Sequence, residues 1–395
     1  KKGLTGEELA GKCKSPNPKI RENAYKTMLG RYGDEENVLG EIYRSIVLDW
    51  VNEGIKLRNY KSPISVRNLG NNIPDEAIEA LLNVCKKNIK VLQEYFKLKA
   101  KILGMKKLRR YDLYAPLKNV SKDYKFDEAK KIVLDVFNDF DPKFYEMAKR
   151  MFDNKHVHSD INKGKRGGAF CLSVAPEVDP YVLVNFVGKF KDVNTIAHEF
   201  GHAIHDMLAE ERTIFDFHAP LPLAETASIF SEMLLKEKLL NEGMKKNERI
   251  NLLATQLDGI YASIIRQSYF VMFEQKAHEM VQKGCTVKDL NKEWVRNLKE
   301  QFGNSVEVND VFQHEWKYIP HIYHTPFYCY AYAFGNLLVL ALFNMYKKEG
   351  KSFVPKYKKI LSYGGSKAPA DILDEVGIDI SKEEFWQSGF DVIKD

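Results

Sequence analysis

Apolar residues recur at helical spacing through the first 150 positions of the chain. Ile78, Leu81, Leu82, Cys85, Ile89, Leu92 and Phe96 form one stripe, with Pro74 near its start. A second stripe runs from about Phe126 to Phe140, and Asp141-Pro142 marks a break and a restart. Between Lys163 and Phe190 the period changes. Gly164, Gly167 and Gly168 precede a run from Ala169 to Val174, and Asp179-Pro180 introduces another from Tyr181 to Val187, closed by Gly188. Both runs predict short strands, as a hairpin or as neighbours. After Val193 the helical pattern returns, with Asp192 or Asn194 as the expected N-cap. Long stretches follow over about 247–284 and 287–302, then an uncharged one ending at Gly350, a residue that suits a helix C-terminus. Gly364-Gly365, Pro369, Gly377 and Trp386 read as a compact helical end. No fixed-period repeat interrupts this order. The expected class is mainly α with one small β-sheet.

The stretch from Thr195 to His205 contains His198-Glu199-Phe200-Gly201-His202. Two imidazoles four residues apart share one helix face, so both can reach a single tetrahedral ion at about 2.0–2.1 Å. Glu199 points about a third of a turn away, where it can approach a metal-bound water without taking a metal position. Zinc in catalytic sites takes a third protein ligand and keeps one position for water. A second helical stretch, Leu223 to Leu235, supplies carboxylates at Glu225 and Glu232, seven apart and so on one face. Their neighbours are small or apolar, and such surroundings rarely bury an unpaired carboxylate. One carboxylate on zinc and one supporting it or a ligand histidine account for both. The alternatives are a solvated Glu225 and an ordinary ion pair for Glu232. His205 is either a support for the site or a satisfied core histidine.

These residues, His198 to His205 with Ala224 to Glu232, resemble the M3 family of zinc metallopeptidases, in its oligoendopeptidase F branch. Tyr111 to Pro116, Gly168 to Cys171, Tyr181 to Phe186 and His321 to Tyr330 resemble it as well, and the likeness runs from about Tyr60 to the C-terminus. It implies a zincin-like, neurolysin-like helical architecture, with 1–150 forming part of a channel wall and 151–395 a zinc-binding catalytic region. Members usually carry a longer helical region ahead of what is here Lys1. The implied roles are His198, His202 and Glu225 as ligands of one Zn2+ and Glu199 as general base, with Glu232 in support. The implied activity is endopeptidase cleavage of internal bonds in short oligopeptides by a zinc-activated water. By the same resemblance His321 and Tyr328 are candidates to assist the oxyanion, with Tyr323, Tyr330 and Tyr332 close behind. On a helix Tyr328 and Tyr332 share a face while Tyr330 points away. Gly168 and Ala169 open the first strand, whose edge can hold a peptide as an added strand. A zinc carboxypeptidase or dipeptidyl carboxypeptidase is a second reading, with Arg266 or a lysine meeting the substrate C-terminus. A non-catalytic peptide- or metal-binding protein is a third, against which the intact Glu199 argues.

Composition narrows the setting. At 395 residues with 44% hydrophobic and 29% charged residues, the chain is an ordinary globular one. The net charge of +6 is spread out; Lys97 to Arg110 holds seven basic residues but reads as a solvated helix face, so no nucleic-acid partner is expected. Five dispersed cysteines, among them Cys171 and Cys329, fit a reducing compartment rather than a disulfide framework, and Lys1-Lys2 leads into polar sequence rather than an apolar leader. Residues 318–346 carry no formal charge. Pro320, His321, His324, Pro326, Asn336 and Asn344 would be costly in lipid, so the segment reads as a buried helix rather than a membrane span. A cytoplasmic enzyme with oligopeptide partners is the expectation.

Overall fold

Both stripes fold as expected in the computed structural model, which describes residues 3–117 and 122–395. Helices Asp75–Lys87 and Ile89–Ile102 bury Leu81, Cys85, Leu92 and Phe96 completely. Helix Phe126–Phe140 ends at Asp141, whose carboxylate accepts the Lys143 N–H at 2.8 Å and caps helix Pro142–Asp153. The described strands are β1 (Leu108–Arg109), β2 (Val157–His158), β3 (Phe170–Leu172), β4 (Tyr181–Leu183) and β5 (Val306–Glu307). The molecule is mainly α with small sheets.

The chain divides into two compact units that ignore linear order. Unit 1 takes Lys1–Gly70, Leu81–Asn119 and Asn251–Ala333; unit 2 takes Asn71–Ala80, Val120–Ile250 and Phe334–Asp395. The segment 1–150 therefore contributes to both.

Unit 1 is helical, with β1 and β5 paired in parallel as a two-stranded ladder that local pattern did not announce. Its interior carries ion pairs: Arg21 to Asp112 at 2.6 Å, Lys99 to Asp258 at 2.6 Å, and Arg110 to Glu315. The stretch expected over 247–284 is two α-helices, Lys246–Ile260 and Arg266–Gln282, joined by a π-helical turn, Tyr261–Ile265. Glu274, fully buried, accepts the Phe327 N–H at 2.9 Å, and Phe327 holds a left-handed φ of 60°.

Unit 2 holds a three-stranded sheet in the order β2-β4-β3. β4 is parallel to β2 and antiparallel to β3, with Cys171 opposite Val182. Below it helix Phe190–Leu208 buries Ile196, Ala197, Phe200, Ala203 and Ile204. Helix Thr226–Asn241 packs on it, burying Ala227, Phe230 and Leu234. A later segment braces both. Tyr357 Oη donates to the Thr226 carbonyl at 3.1 Å, Gly365 N–H to the Asp216 carbonyl at 2.7 Å, and Arg212 Nε to the Ser362 carbonyl at 2.8 Å. The uncharged stretch becomes most of helix Tyr330–Glu349, followed by Gly350 at φ 62°. Among the described residues no helix is long and apolar enough to cross a membrane.

Candidate metal centre

Helix Phe190–Leu208 begins earlier than expected. Asp192 still caps it, but from within the first turn, accepting the N–H groups of Val187 and Lys189 at 3.0 and 2.8 Å. His198 and His202 then stand on one face, their rings nearly perpendicular with centroids 4.9 Å apart. The glycine between them has a packing reason. A Cβ on Gly201 would lie 2.5 Å from both the Ala227 carbonyl oxygen and Ser228 Cα. Only glycine lets helix Thr226–Asn241 come this close, and that approach delivers Glu225.

Glu225 is not inside a continuous helix, as its spacing from Glu232 suggested. It occupies a break between the short helix Leu221–Ala224 and Thr226–Asn241, at φ −91° and ψ 4°. Its Oε2 lies 3.4 Å from His198 Nε2 and 3.4 Å from His202 Nε2. Two donors each bound at about 2.0–2.1 Å to a tetrahedral ion stand about 3.3–3.4 Å apart, so the three atoms already have the edge length of such a site. They form the candidate metal-holding group among the described residues. An N2O donor set with an open position suits zinc.

Neighbours hold these three side chains in register. Glu232 Oε1 accepts from His198 Nδ1 at 2.7 Å, which leaves the Nε2 lone pair for an ion. Lys236 Nζ donates to Glu232 Oε2 at 2.8 Å, and Ser228 Oγ to Glu225 Oε2 at 2.6 Å. Burial opposes charge on both carboxylates, yet His202, Ser228 and His198 around Glu225, and His198 and Lys236 around Glu232, outweigh it and hold each pKa down to about 2. Burial likewise opposes charge on His198, but the Glu232 hydrogen bond and the nearby carboxylates raise its pKa. Glu199 is buried, and that burial raises its pKa against the pull of both histidines; the Cys171 main chain hydrogen-bonds to it. His205 is buried, and desolvation takes its pKa down to about 3.

Two cavities flank this group and share Ala169, His198 and Glu199 as walls. One, of about 490 Å³, is lined further by Gly168, Asn185, Lys191 and Thr195. The other, of about 520 Å³, is lined by Phe170, Cys171, Ser173, Asp206 and His218. Gly168 has φ 81°, a conformation open to glycine, and its carbonyl accepts from Asn185 at 2.8 Å.

The remaining candidates belong to unit 1. The His321 ring stacks on Tyr328 with centroids 5.6 Å apart, and Tyr332 stands edge-on to both. Tyr332 Oη is 3.2 Å from His321 Nε2. Tyr328 lies in the turn ahead of the helix rather than on it, yet it meets Tyr332 as helical spacing suggested. Tyr330 is fully buried, and Tyr323 packs on Tyr43 and Trp316 with its hydroxyl enclosed. Sequence reasoning missed Ser228, Lys236 and Asp206. Each had a signal, lying three or four residues from Glu225, Glu232 and His202 respectively.

Comparison with known proteins finds relatives over most of the chain. Oligopeptidase PepF of Bacillus subtilis is 30% identical over 97% of this chain and 57% of that protein. An oligoendopeptidase F homolog of Borreliella burgdorferi is 30% identical over 95% of this chain and 64% of that protein. The chain thus spans less than two thirds of either relative. A solved Chlamydophila abortus structure superposes with a TM-score of 0.93 at 29% identity, covering 99% of this chain and 66% of that one. Oligoendopeptidase-F from Enterococcus faecium has the same fold, with a TM-score of 0.79 at 22% identity over 100% of this chain and 65% of that one. The pattern of Peptidase family M3 matches residues 13–392, and the chain belongs to that family.

Proposed function

We propose that this chain is the catalytic part of a zinc-dependent endopeptidase that cuts internal bonds of short oligopeptides. The observation that carries the reading is the ligand triangle: Glu225 Oε2 lies 3.4 Å from both His198 Nε2 and His202 Nε2, with Glu199 buried beside it. A zinc ion held there supplies a Lewis acid for the scissile carbonyl and lowers the pKa of water toward neutrality. Glu199, fixed through the Cys171 main chain, accepts the proton of the attacking water and returns it to the leaving amine. Among the described residues β3 has β4 on one side only, so its other edge is suited to aligning a peptide main chain as an added strand. Gly168 and Ala169, at the entry to that strand, keep its backbone approachable. His321 and Tyr328 are assigned the oxyanion-assisting role that the resemblance implies, ahead of Tyr330 and Tyr323, which are less suited because Tyr330 is fully buried and the Tyr323 hydroxyl is enclosed. A cytoplasmic setting, where five unpaired thiols persist, belongs to the same reading.

The test is mass-spectrometric mapping of products from peptides of graded length, using zinc-loaded protein with Glu199→Gln as control. Internal cuts that vanish in the control are expected. Stepwise loss from C-termini, or cutting that survives Glu199→Gln, would overturn the proposal.

A further inference from the structure

The two cavities beside Glu199 differ in charge. The Lys191 side has an ammonium on its wall. The other cavity is lined by Glu199, Asp206 and Glu225 and, among the described residues, by no lysine or arginine. Glu225 and Glu199 already have uses there, as ligand and base. Asp206 has none. It lies one helical turn beyond His202, on the face that carries both histidines. Ser173, on the strand side, donates its hydroxyl hydrogen to Asp206 Oδ2, while Oδ1 has no hydrogen-bond or ion-pair partner among the described residues. Burial raises the Asp206 pKa, outweighing the Ser173 hydrogen bond and the two histidines His218 and His202. His218 and His202, on the same cavity wall, favour its charged form, but among the described residues neither hydrogen-bonds to it nor pairs with it.

We infer that this cavity receives a lysine or arginine side chain of the substrate, next to the scissile bond, with Asp206 as the residue that selects it. The inference rests on the endopeptidase reading and adds the substrate class. A cavity of about 520 Å³ has room for either side chain along Phe170 and Cys171 with its charge at Asp206. A carboxylate part-way out of water discriminates more strongly than an exposed one, because its partner is not screened by bulk solvent. Glutamate in the same position meets the like charge of Asp206.

The experiment is a peptide set with lysine, arginine, norleucine or glutamate at each position flanking one bond, incubated with zinc-loaded protein. Lysine and arginine should exceed norleucine in kcat/KM by about tenfold, on one side of the bond only. In Asp206→Asn the lysine-to-norleucine ratio should fall to near one, whatever the absolute rate, and Asp206→Glu should restore it. Ala219→Lys, on the wall of the same cavity, should reverse the preference and serves if Asp206→Asn does not fold. Equal rates for lysine and norleucine in the wild type, or a ratio that persists in Asp206→Asn, would overturn the inference. Absence of all cleavage would instead overturn the endopeptidase reading. Calorimetric binding of lysine and norleucine peptides then decides this inference separately, and equal affinities sink it.

Discussion

Gly201→Ala sets two physical effects against each other. Within a helix the change gains up to about 1 kcal/mol from backbone propensity. Packing opposes it. The new Cβ would sit 2.5 Å from the Ala227 carbonyl oxygen and from Ser228 Cα, and 2.8 Å from the Ala227 carbonyl carbon. All three are backbone atoms, so no rotamer change relieves the contact. Ordinary van der Waals separation requires helix Thr226–Asn241 to retreat by about 1 Å, and a gap of that size forfeits a quarter to a half of each contact. Overpacking of this kind costs about 1–3 kcal/mol, and the backbone identity of the clash puts it at the upper end. The net expectation is about 2 kcal/mol of destabilisation, or a Tm lower by roughly 4–8 °C for a unit of this size. Glu225 immediately precedes the displaced helix, so zinc affinity should fall with stability, since ligand distances tolerate only about 0.2 Å. Calorimetry and competition with a chromophoric chelator read the two effects. Gly30→Ala is the control: in mid-helix with nothing within 4 Å of a new Cβ, it should be neutral or stabilising. A Gly201→Ala protein at least as stable as the wild type, with unchanged zinc affinity, would refute the packing argument.

Other expectations concern single groups. Glu232→Gln leaves all three ligands but weakens the hold on His198 Nδ1, so zinc affinity should fall about 10–100-fold by chelator competition; unchanged affinity would dismiss the supporting role. Burial pushes the Glu274 pKa up from 4.5 to about 8, so the folded state keeps a proton that the unfolded state releases between those values. Its contribution to stability is therefore present below about 4.5 and lost as pH rises toward 8, at about 1.4 kcal/mol per unit. Glu274→Gln should flatten that slope in denaturation measured at pH 5.5 and 8, and an identical slope would contradict it. Asp141→Ala removes both the cap on Lys143 N–H and the 3.0 Å contact with Lys358, and should cost about 1 kcal/mol in urea unfolding; no change would show that water replaces the cap.

What could be foreseen was local. His198 and His202 are four apart on one helix, and that relation survives whatever packs around them. Helices Phe126–Phe140 and Val287–Phe302 begin and end where their stripes do, because turn residues and caps lie beside them in sequence. The break at Glu225 was not foreseeable, since no glycine or proline marks it. One stabilising contact comes from Tyr357, whose hydroxyl meets the Thr226 carbonyl. β1 and β5 have two residues each, too few for a period, and their partners are distant in the chain. The π-helical turns Asn52–Leu57 and Tyr261–Ile265 likewise leave no compositional trace. Asp206 was legible but unread: it repeats the four-residue step of the two histidines.

The contacts of Tyr357, Ser362 and Gly365 with the segment around Asp216 and Thr226 also set an order of events during synthesis. A ribosome exposes His198, Glu199 and Glu225 more than a hundred residues before it exposes Tyr357. At about 5–20 residues per second, the nascent chain carries these residues for roughly 7–26 seconds before the brace arrives. The geometry of the His198–His202–Glu225 group is thus a late product of translation, and a chain stalled before Tyr357 displays the motif without the support that sets it.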